Sequence, residues 1–507
     1  MLKDQENKQL TIDTIELDNL IEALGCPTSK IDYINDFDFS EIVEEITNSY
    51  CLDNGRPAYP VEVMLKTIIL QYFENFTDRE VVWHLQSNLV YKRFVGLGLY
   101  DNVPTYSTIA KFRIERLNED ILNNLLTCLN IQLIKKKEIK GKIISIDATH
   151  SASKAKKLTP GEYLNQLLKQ LNEILKFNTA EEISIDIPKI PRGTSIKEEV
   201  KTVISKVKET LEMLESLENE DEEKIIPGLK ISEEMEDYQS LKKELQEKIE
   251  DERFLKGLEE HSLSDPDARV GHKSKNKVFY GYKDELIADI ESRYILATNT
   301  YPGNYCDGVE FKELLDKVLK LGIKPEKLLG DKAYFKGEIL KTADEKEIQP
   351  YIPINLGSYK EKEGFEYCKD ADQFTCKHGN ETVSVCKIKE KDTEITRRVI
   401  YTFNSEICKM CPDHKKCVTE KKYVAKRIEC TINYGIYNKC AAVMQKEGAK
   451  EIANKRALHE SINHELKNVF EGKTQQSYGL ISARKNGLLR ALMVNFNRYA
   501  LNKMKQE

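Results

Sequence analysis

The segment 143–150, Ile-Ile-Ser-Ile-Asp-Ala-Thr-His, begins with a short, mainly apolar run, 143–146, which is followed directly by the acidic residue Asp147. A run of this length that is rich in β-branched residues predicts a buried strand. We therefore expect a strand over residues 141–147, with the Asp147 carboxylate held at the edge of a sheet. A second acidic residue, Asp331, follows the apolar segment 328–330 in the same way.

A third acidic residue, Glu460, lies in a segment with helical spacing, seven residues before Lys467. Carboxylates at two strand ends and on one helix can converge on hard divalent cations, which prefer oxygen ligands. The sequence therefore predicts that Asp147, Asp331 and Glu460 hold two Mg²⁺ or Mn²⁺ ions. Such an ion pair serves phosphoryl transfer.

In these residues the chain resembles the bacterial insertion-sequence transposases of the DDE class, whose catalytic domain has a ribonuclease-H-like fold. Arg456, Glu460 and Lys467 fit the R-x3-E-x6-K part of that family's Y-x2-R-x3-E-x6-K signature, and Ala453 stands at the tyrosine position. Other segments resemble the same family: 55–60, 94–97, 104–109, 281–283 and 300–304. Their order along one chain carries the resemblance, which leaves a gap between about 158 and 262.

The resemblance implies a multidomain α/β protein. From the resemblance we expect a ribonuclease-H-like mixed sheet with flanking helices and a helical N-terminal domain. From the residues themselves we expect a helical insertion and a small zinc-ribbon-like β insertion. It also implies a transposase that cuts double-stranded DNA at transposon ends, transfers the cut strand into target DNA, and binds the ends as a homodimer. Two alternatives remain, a nuclease of the same fold without strand transfer and a catalytically inactive DNA-binding relative.

The expected domains are a helical N-terminal DNA-binding domain (1–140), the first parts of the catalytic core (141–157 and 263–355), a charged helical insertion (158–262), a cysteine-rich insertion (356–430) and a C-terminal helical part that carries Glu460 (431–507). The periodicity of the N-terminal domain fits a plain bundle as well as a helix-turn-helix reader of DNA. We expect Trp83 in its core. The charged insertion is either a dimerisation arm or a solvated spacer.

Four cysteines predict a structural zinc site. Cys408 and Cys411 form a C-x2-C pair, Cys417 follows, and Cys376 lies upstream beside strand-like segments. These are the parts of a zinc ribbon, in which tetrahedral thiolates replace a hydrophobic core. Other residues compete for the fourth ligand position: Cys368, Cys386, His378 and His414. A compact insertion with reduced cysteines and no metal is the alternative.

The net charge of −6 hides a strong contrast along the chain. Residues 161–260 carry 15 Lys/Arg against 26 Asp/Glu, whereas residues 420–507 carry 17 against 8. A protein that binds DNA with one surface has such a contrast, although chance variation between helical surfaces can also produce it. The predicted DNA contacts are Arg456 and Lys467 as phosphate clamps, Arg484 and Lys485 on the last helix, and Lys332 and His150 beside the acids.

Composition excludes several other classes of protein. No segment reaches the roughly 18 uncharged apolar residues of a membrane helix, and the start of the chain has no apolar signal region. We therefore expect a cytoplasmic protein without a membrane partner, associated with the nucleoid when it binds DNA. In that compartment the twelve cysteines are reduced thiols or metal ligands rather than a disulfide framework.

Overall fold

The computed structural model of the protein describes residues 12–51, 58–178, 184–191, 193–217, 233–256, 262–274, 277–389, 396–419 and 423–506. Residues 55–57 of the segment 55–60 lie outside these ranges. Residues 1–11, where we expect no apolar signal region, also lie outside them.

The N-terminal region is helical, as expected. Its helices are α1 (Ile12–Ala23), α2 (Ser40–Thr47), α3 (Val61–Phe73), α4 (Asp78–Ser87), α5 (Leu89–Val95), α6 (Tyr106–Glu115) and α7 (Glu119–Lys135). Thr77 with Glu80 three residues later predicts a helix that begins with a capping box. That capping box begins α4, because each side chain accepts a bond from the other residue's backbone N–H.

The prediction that Trp83 lies in the core is wrong. The Trp83 side chain is 61% exposed. The buried face of α4 is formed by Val81 and Leu85, which are four residues apart. Trp83 lies midway between them in sequence and therefore points to the other side of the helix.

A mixed sheet lies at the centre of the molecule. Its strands are β1 (Ile143–Ala152), β2 (Arg269–Ser274), β3 (Lys277–Asp289), β4 (Ile295–Pro302), β5 (Lys327–Leu329) and β6 (Gln349–Tyr351). They are ordered β2-β3-β1-β5-β6, and β4 also pairs with β3. Strand β1 is antiparallel to β3 and parallel to β5. The short polar connection 290–292 predicts a hairpin between strands at 277–289 and 293–300, and the β3–β4 hairpin confirms it. Edge strand β2 was not foreseen.

Strand β1 is longer than predicted, and Asp147 lies inside it rather than at its end. The reason is the long partner β3, which pairs with β1 from Ile144 opposite Asp289 to Ala152 opposite Gly281. Residues 148–152 are mostly polar or small and carry no apolar signal of their own. Pairing with β3 extends the strand through them.

Helices cover the sheet. They are α12 (Phe311–Lys320), α13 (Gly337–Glu345), α16 (Tyr434–Met444), α17 (Ala449–Asn454), α18 (Ala457–His464) and α19 (Leu480–Met504). A π-helical turn, Glu465–Val469, follows α18 directly. Helix α19 contacts β4, α7 and α3, and one hydrophobic core joins the N-terminal helices, the sheet and α19.

Two insertions interrupt this plan. The first contains α8 (Pro160–Asn178), α9 (Ile196–Leu217), α10 (Glu233–Glu250) and α11 (Glu252–Leu255), and it has its own hydrophobic core. The second contains β7 (Phe365–Cys368), β8 (Gln373–Cys376), β9 (Thr382–Lys389), β10 (Thr396–Phe403), α14 (Ser405–Met410), α15 (His414–Cys417) and β11 (Arg427–Thr431). Strands β7 and β8 form a hairpin, and β11-β10-β9 a three-stranded sheet.

Candidate active site

The parallel pairing of β1 and β5 places two predicted acids side by side. Ser145 is opposite Leu329 in this register, so Asp147 and Asp331, each two residues further along, lie at the same level. Asp331 begins the 3₁₀ turn Lys332–Tyr334, and its Oδ1 accepts a hydrogen bond of 2.7 Å from the backbone N–H of Ala333. That bond fixes the start of the turn and holds the Asp331 side chain at the end of β5.

Asp147 is buried in a mixed electrostatic field. Burial, and to a smaller extent the charge of Asp331, raises the pKa of its carboxyl group to about 6 against the opposing effects of Arg456 and of hydrogen bonds from Ala148 and Asn463. Two neighbouring carboxylates repel each other, and a cation between them is the usual way to keep both ionised.

Helix α18 is attached to this pair through an asparagine. Asn463 Nδ2 donates a hydrogen bond of 3.0 Å to Asp147 Oδ2. Glu460 is exposed in the first turn of α18, one turn before Asn463. In the part of the chain that the structure describes, no three His, Cys, Asp or Glu side chains form a group that could hold a metal ion. The structure thus brings Asp147 and Asp331 together, while the Glu460 carboxylate does not complete a ligand group with them.

Three basic residues surround the acids. Arg456 immediately precedes α18 and interacts electrostatically with Asp147. Lys467, in the π-helical turn, has its Nζ 3.4 Å from Nδ1 of His150. Burial and the charges of Lys467, Lys273 and Lys283 lower the pKa of His150 to about 4, so its imidazole is neutral at pH 7 and can accept a hydrogen bond from Lys467.

The other predicted DNA contacts differ in their surroundings. Lys332 is exposed directly after Asp331. Arg484 donates from Nε to the carbonyl of Thr300 at 3.1 Å and lies 3.5 Å from a carboxylate oxygen of Glu119. Lys485 donates to the main-chain carbonyls of residues 113 and 114. Arg484 and Lys485 therefore connect α19 to β4 and to the N-terminal helices.

Behind β1 lies a buried polar group that was not predicted from the sequence. Asp284 of β3 is directly opposite Thr149 of β1, and both are buried with Arg490 of α19. Asp284 interacts electrostatically with Arg490 and Lys467. The sequence does contain a signal, since the strand 277–289 carries Lys-Asp-Glu in its middle, at 283–285, where an ordinary buried strand is apolar.

Two family matches agree with this geometry. Residues 15–115 match a transposase domain family, and residues 249–496 match the transposase DDE domain family. This chain belongs to the insertion-sequence DDE transposases. Its substrate is therefore DNA. The DDE match includes Asp331 and Glu460 and begins after Asp147. No curated protein and no solved structure matches the chain.

The cysteine-rich insertion of the transposase contains a second cluster of metal-binding residue types. The four predicted cysteines line one cavity of about 570 Å³: Cys376, Cys408, Cys411 and Cys417. Burial raises the pKa of the Cys417 thiol, and the other three cysteines raise it further. The four cysteines therefore share one cavity, and Cys417 interacts electrostatically with the other three, although they too form no metal-binding group among the described residues.

The competing zinc ligands are placed less favourably. Cys368 and Cys386 are exposed on β7 and β9 and do not line this cavity. His378 and His414 do line it, but the Nε2 atom of His378 lies 2.8 Å from Asp413 and that of His414 lies 3.0 Å from the carbonyl of Val424. Each of these imidazoles already has a protein partner.

Among the described residues of the transposase, no helix is long and apolar enough to span a membrane.

Proposed function

We propose that this transposase cuts DNA at transposon ends and joins the freed 3′ ends to target DNA, with Asp147, Asp331 and Glu460 as ligands of two Mg²⁺ or Mn²⁺ ions. The observation that supports this proposal best is the parallel register of β1 and β5, which puts Asp147 and Asp331 side by side. The sheet supports a ribonuclease-H-like core, because β4, β3 and β1 are antiparallel neighbours and β1, β5 and β6 are parallel ones.

The residues present fit such ions in their chemistry. Asp147 and Asp331 offer carboxylate oxygens, and their mutual repulsion is relieved by a cation. Glu460 is one turn before Asn463, the residue that contacts Asp147, so its side chain starts on the same side of α18. When bound, the ions supply Lewis acidity for the attacking and leaving oxygens of a phosphodiester.

The remaining residues bind and orient. Asn463 fixes the Asp147 carboxylate, and Arg456 and Lys467 bind phosphate oxygens of the DNA near the acids. Arg456 is suited to a bidentate contact and Lys467 to a point-charge contact. His150, with its lowered pKa, serves as an acceptor that orients Lys467. Lys332 is exposed for a further phosphate contact.

Three further features belong to this proposal. We place one structural zinc ion in the cysteine-rich insertion, held by Cys376, Cys408, Cys411 and Cys417, because these four line one cavity. The transposase would act as a homodimer on the two ends. The acidic insertion, 158–262, would face away from DNA, since its negative charge repels phosphate.

The test is an assay with end-bearing DNA that scores both cleavage and strand transfer. Asp147→Asn, Asp331→Asn and Glu460→Gln should each abolish cleavage in Mg²⁺ and leave end binding within about threefold, because they remove metal ligands and not phosphate clamps. Cleavage without joining would favour the nuclease of the same fold. Persistent cleavage in any one of the three variants would overturn the assignment of that residue.

A further inference from the structure

A buried aspartate lies beneath the proposed active site, where α19 comes close to the sheet. Asp284 is 8% exposed, and its Oδ1 accepts a hydrogen bond of 2.6 Å from Oγ1 of Thr300. The close approach depends on Gly487 of α19. A Cβ atom there would lie 2.5 Å from Oγ1 of Thr300 and 3.2 Å from Oδ1 of Asp284, so any other residue would push α19 away from Asp284.

Two cations and a small cavity share this position. Arg490 is 4% exposed, and its Nη2 donates to the carbonyl of Thr474 at 3.3 Å. Within the described part of the chain, Nη1 of Arg490 and Oγ1 of Thr149 are buried without hydrogen-bond partners. Both residues line one cavity of about 10 Å³ together with Asp284 and Lys467. That volume is about what one water molecule needs, and these four side chains are enough polar partners for it.

We propose that Asp284 is a positioning residue for DNA cleavage, which holds Lys467 in place through one buried water molecule shared with Thr149 and Arg490. This inference rests on the proposed function, in which Lys467 binds a phosphate oxygen. Lys467 is then fixed from two sides, by His150 at its amine and by the buried group behind it. A lysine has a long, flexible side chain, and such support reduces the freedom that it loses when it binds phosphate.

The charges are consistent with this role. Burial and the nearby Lys273 lower the pKa of Lys467, whereas Asp284 and Asp147 raise it. Asp284 thus favours the charged amine, the form that binds phosphate. His150 also contacts Lys467, and it is neutral at pH 7. Burial raises the pKa of Asp284, whereas the hydrogen bond from Thr300 and the positive charges of Arg490 and Lys467 lower it. The two cations therefore favour the ionised form of Asp284 against the effect of its burial.

Asp284→Asn tests the proposal, because it keeps the shape of the side chain and removes its charge. We expect cleavage at saturating DNA to fall at least about tenfold, with end binding changed less than about threefold. In a Lys467→Met background the same substitution should change cleavage less than about twofold, since both changes act on one group. Additive losses in the double variant would overturn the proposal.

A second readout does not depend on activity. The rate at which an amine-acylating reagent modifies Lys467, followed by mass spectrometry, reports the charge and the mobility of the amine. In Asp284→Asn it should rise severalfold, whereas exposed Lys111 reacts unchanged. If the wild-type protein fails to cut end-bearing DNA, the proposed function is wrong. The acylation rate of Lys467 still tests, independently, whether Asp284 positions Lys467. An unchanged rate at Lys467 would contradict the proposal.

Two further variants separate positioning from folding. Asp289→Asn alters another buried aspartate on β3, which accepts from the backbone N–H of Gly141 far from Lys467. It should lower the Tm without changing Lys467 reactivity. If Asp284→Asn does not fold, Thr300→Val removes only the hydroxyl that bonds Asp284. It should then raise Lys467 reactivity in the same direction by a smaller factor, and no rise would refute the role of Asp284.

Discussion

Asn463 donates a hydrogen bond of 3.0 Å from Nδ2 to Oδ2 of Asp147 and thereby joins α18 to the central strand. The two residues are 316 positions apart in the chain. An ionised carboxylate only accepts hydrogen bonds, so the amide must present its NH₂ group to Asp147. The orientation of one amide therefore links the helix of Glu460 to the first acid of the site.

The first prediction concerns this link. Asn463→Ala should reduce cleavage about tenfold to hundredfold, the usual loss for a hydrogen bond to a charged group, and leave end binding nearly unchanged. Single-turnover cleavage and a DNA-binding titration measure the two effects. Asn468→Ala is the matched control, because Asn468 donates within its own helix, to the carbonyl of His464 in the preceding turn. Equal losses in both variants would mean that only the helix was damaged.

The second prediction concerns the phosphate clamps. Arg456→Gln and Lys467→Gln should weaken cleavage more than end binding, because both residues interact electrostatically with Asp147 and would act on the reacting phosphate in the proposed function. Binding and cleavage are compared in the same buffer, since phosphate contacts depend strongly on salt. Exposed Lys455, next to Arg456, gives the control Lys455→Gln. If Lys455→Gln reduced cleavage as much, general charge and not position would be responsible.

Local signals in the sequence predicted much of the fold. The capping box at Thr77 and the β3–β4 hairpin depend on residues that are near one another in the chain, and both are observed. The end of β1 and the exposure of Trp83 were predicted wrongly. The length of β1 depends on its pairing with β3, whose paired residues lie 129 to 145 positions further along the chain. The exposure of Trp83 depends on which face of α4 meets the other helices.

The residue types of the proposed site could be read from the sequence, but the contacts between them could not. Asp147 and Asp331 follow recognisable apolar runs, and Glu460 belongs to a spaced signature. The bond between Asn463 and Asp147 and the buried position of Asp284 arise only when α18 and α19 pack on the sheet. The same packing leaves Glu460 exposed, because the orientation of α18 is determined by its buried residues His459 and Ile462.

The third prediction concerns zinc. Purified protein should contain about one zinc ion per chain, and Cys408→Ser or Cys411→Ser should lose it and lower the Tm, since thiolate ligation stabilises a small β insertion. Cys368→Ser is the control, because Cys368 is exposed outside the cavity that the four cysteines line. Metal analysis and thiol titration decide the matter. Four freely titratable thiols without zinc would refute the site.

The fourth prediction concerns the last helix. Arg484→Gln with Lys485→Gln should weaken binding to all DNA sequences alike and flatten its salt dependence, as expected for phosphate contacts. The double change should also lower the Tm, because both side chains bond to other parts of the protein. Lys446→Gln with Lys450→Gln removes the same charge from exposed positions. If affinity and salt slope stay at the wild-type values, DNA does not contact this part of α19.

The fifth prediction concerns Glu285, a fully buried residue of β3. Its carboxylate accepts hydrogen bonds from the backbone N–H of Gly308 at 2.6 Å and from the hydroxyl of Tyr334 at 3.0 Å. Burial nevertheless raises its pKa from 4.5 to about 7. The folded protein therefore keeps this proton between about pH 4.5 and 7, where the unfolded chain has released it. The contribution of Glu285 to stability must fall as the pH rises through that window.

Glu285→Gln removes this dependence and should make the Tm less sensitive to pH. The free energy of unfolding of the variant minus that of the wild type should be larger at pH 8 than at pH 5, by an amount on the order of 1–3 kcal/mol. The amide can still accept a hydrogen bond from Gly308, and the hydroxyl of Tyr334 can rotate to suit it. Thermal unfolding at several pH values measures the effect, with exposed Glu338→Gln as the control. If the Tm of Glu285→Gln and the Tm of the wild type fall by the same amount from pH 5 to pH 8, Glu285 does not retain a proton in the folded protein.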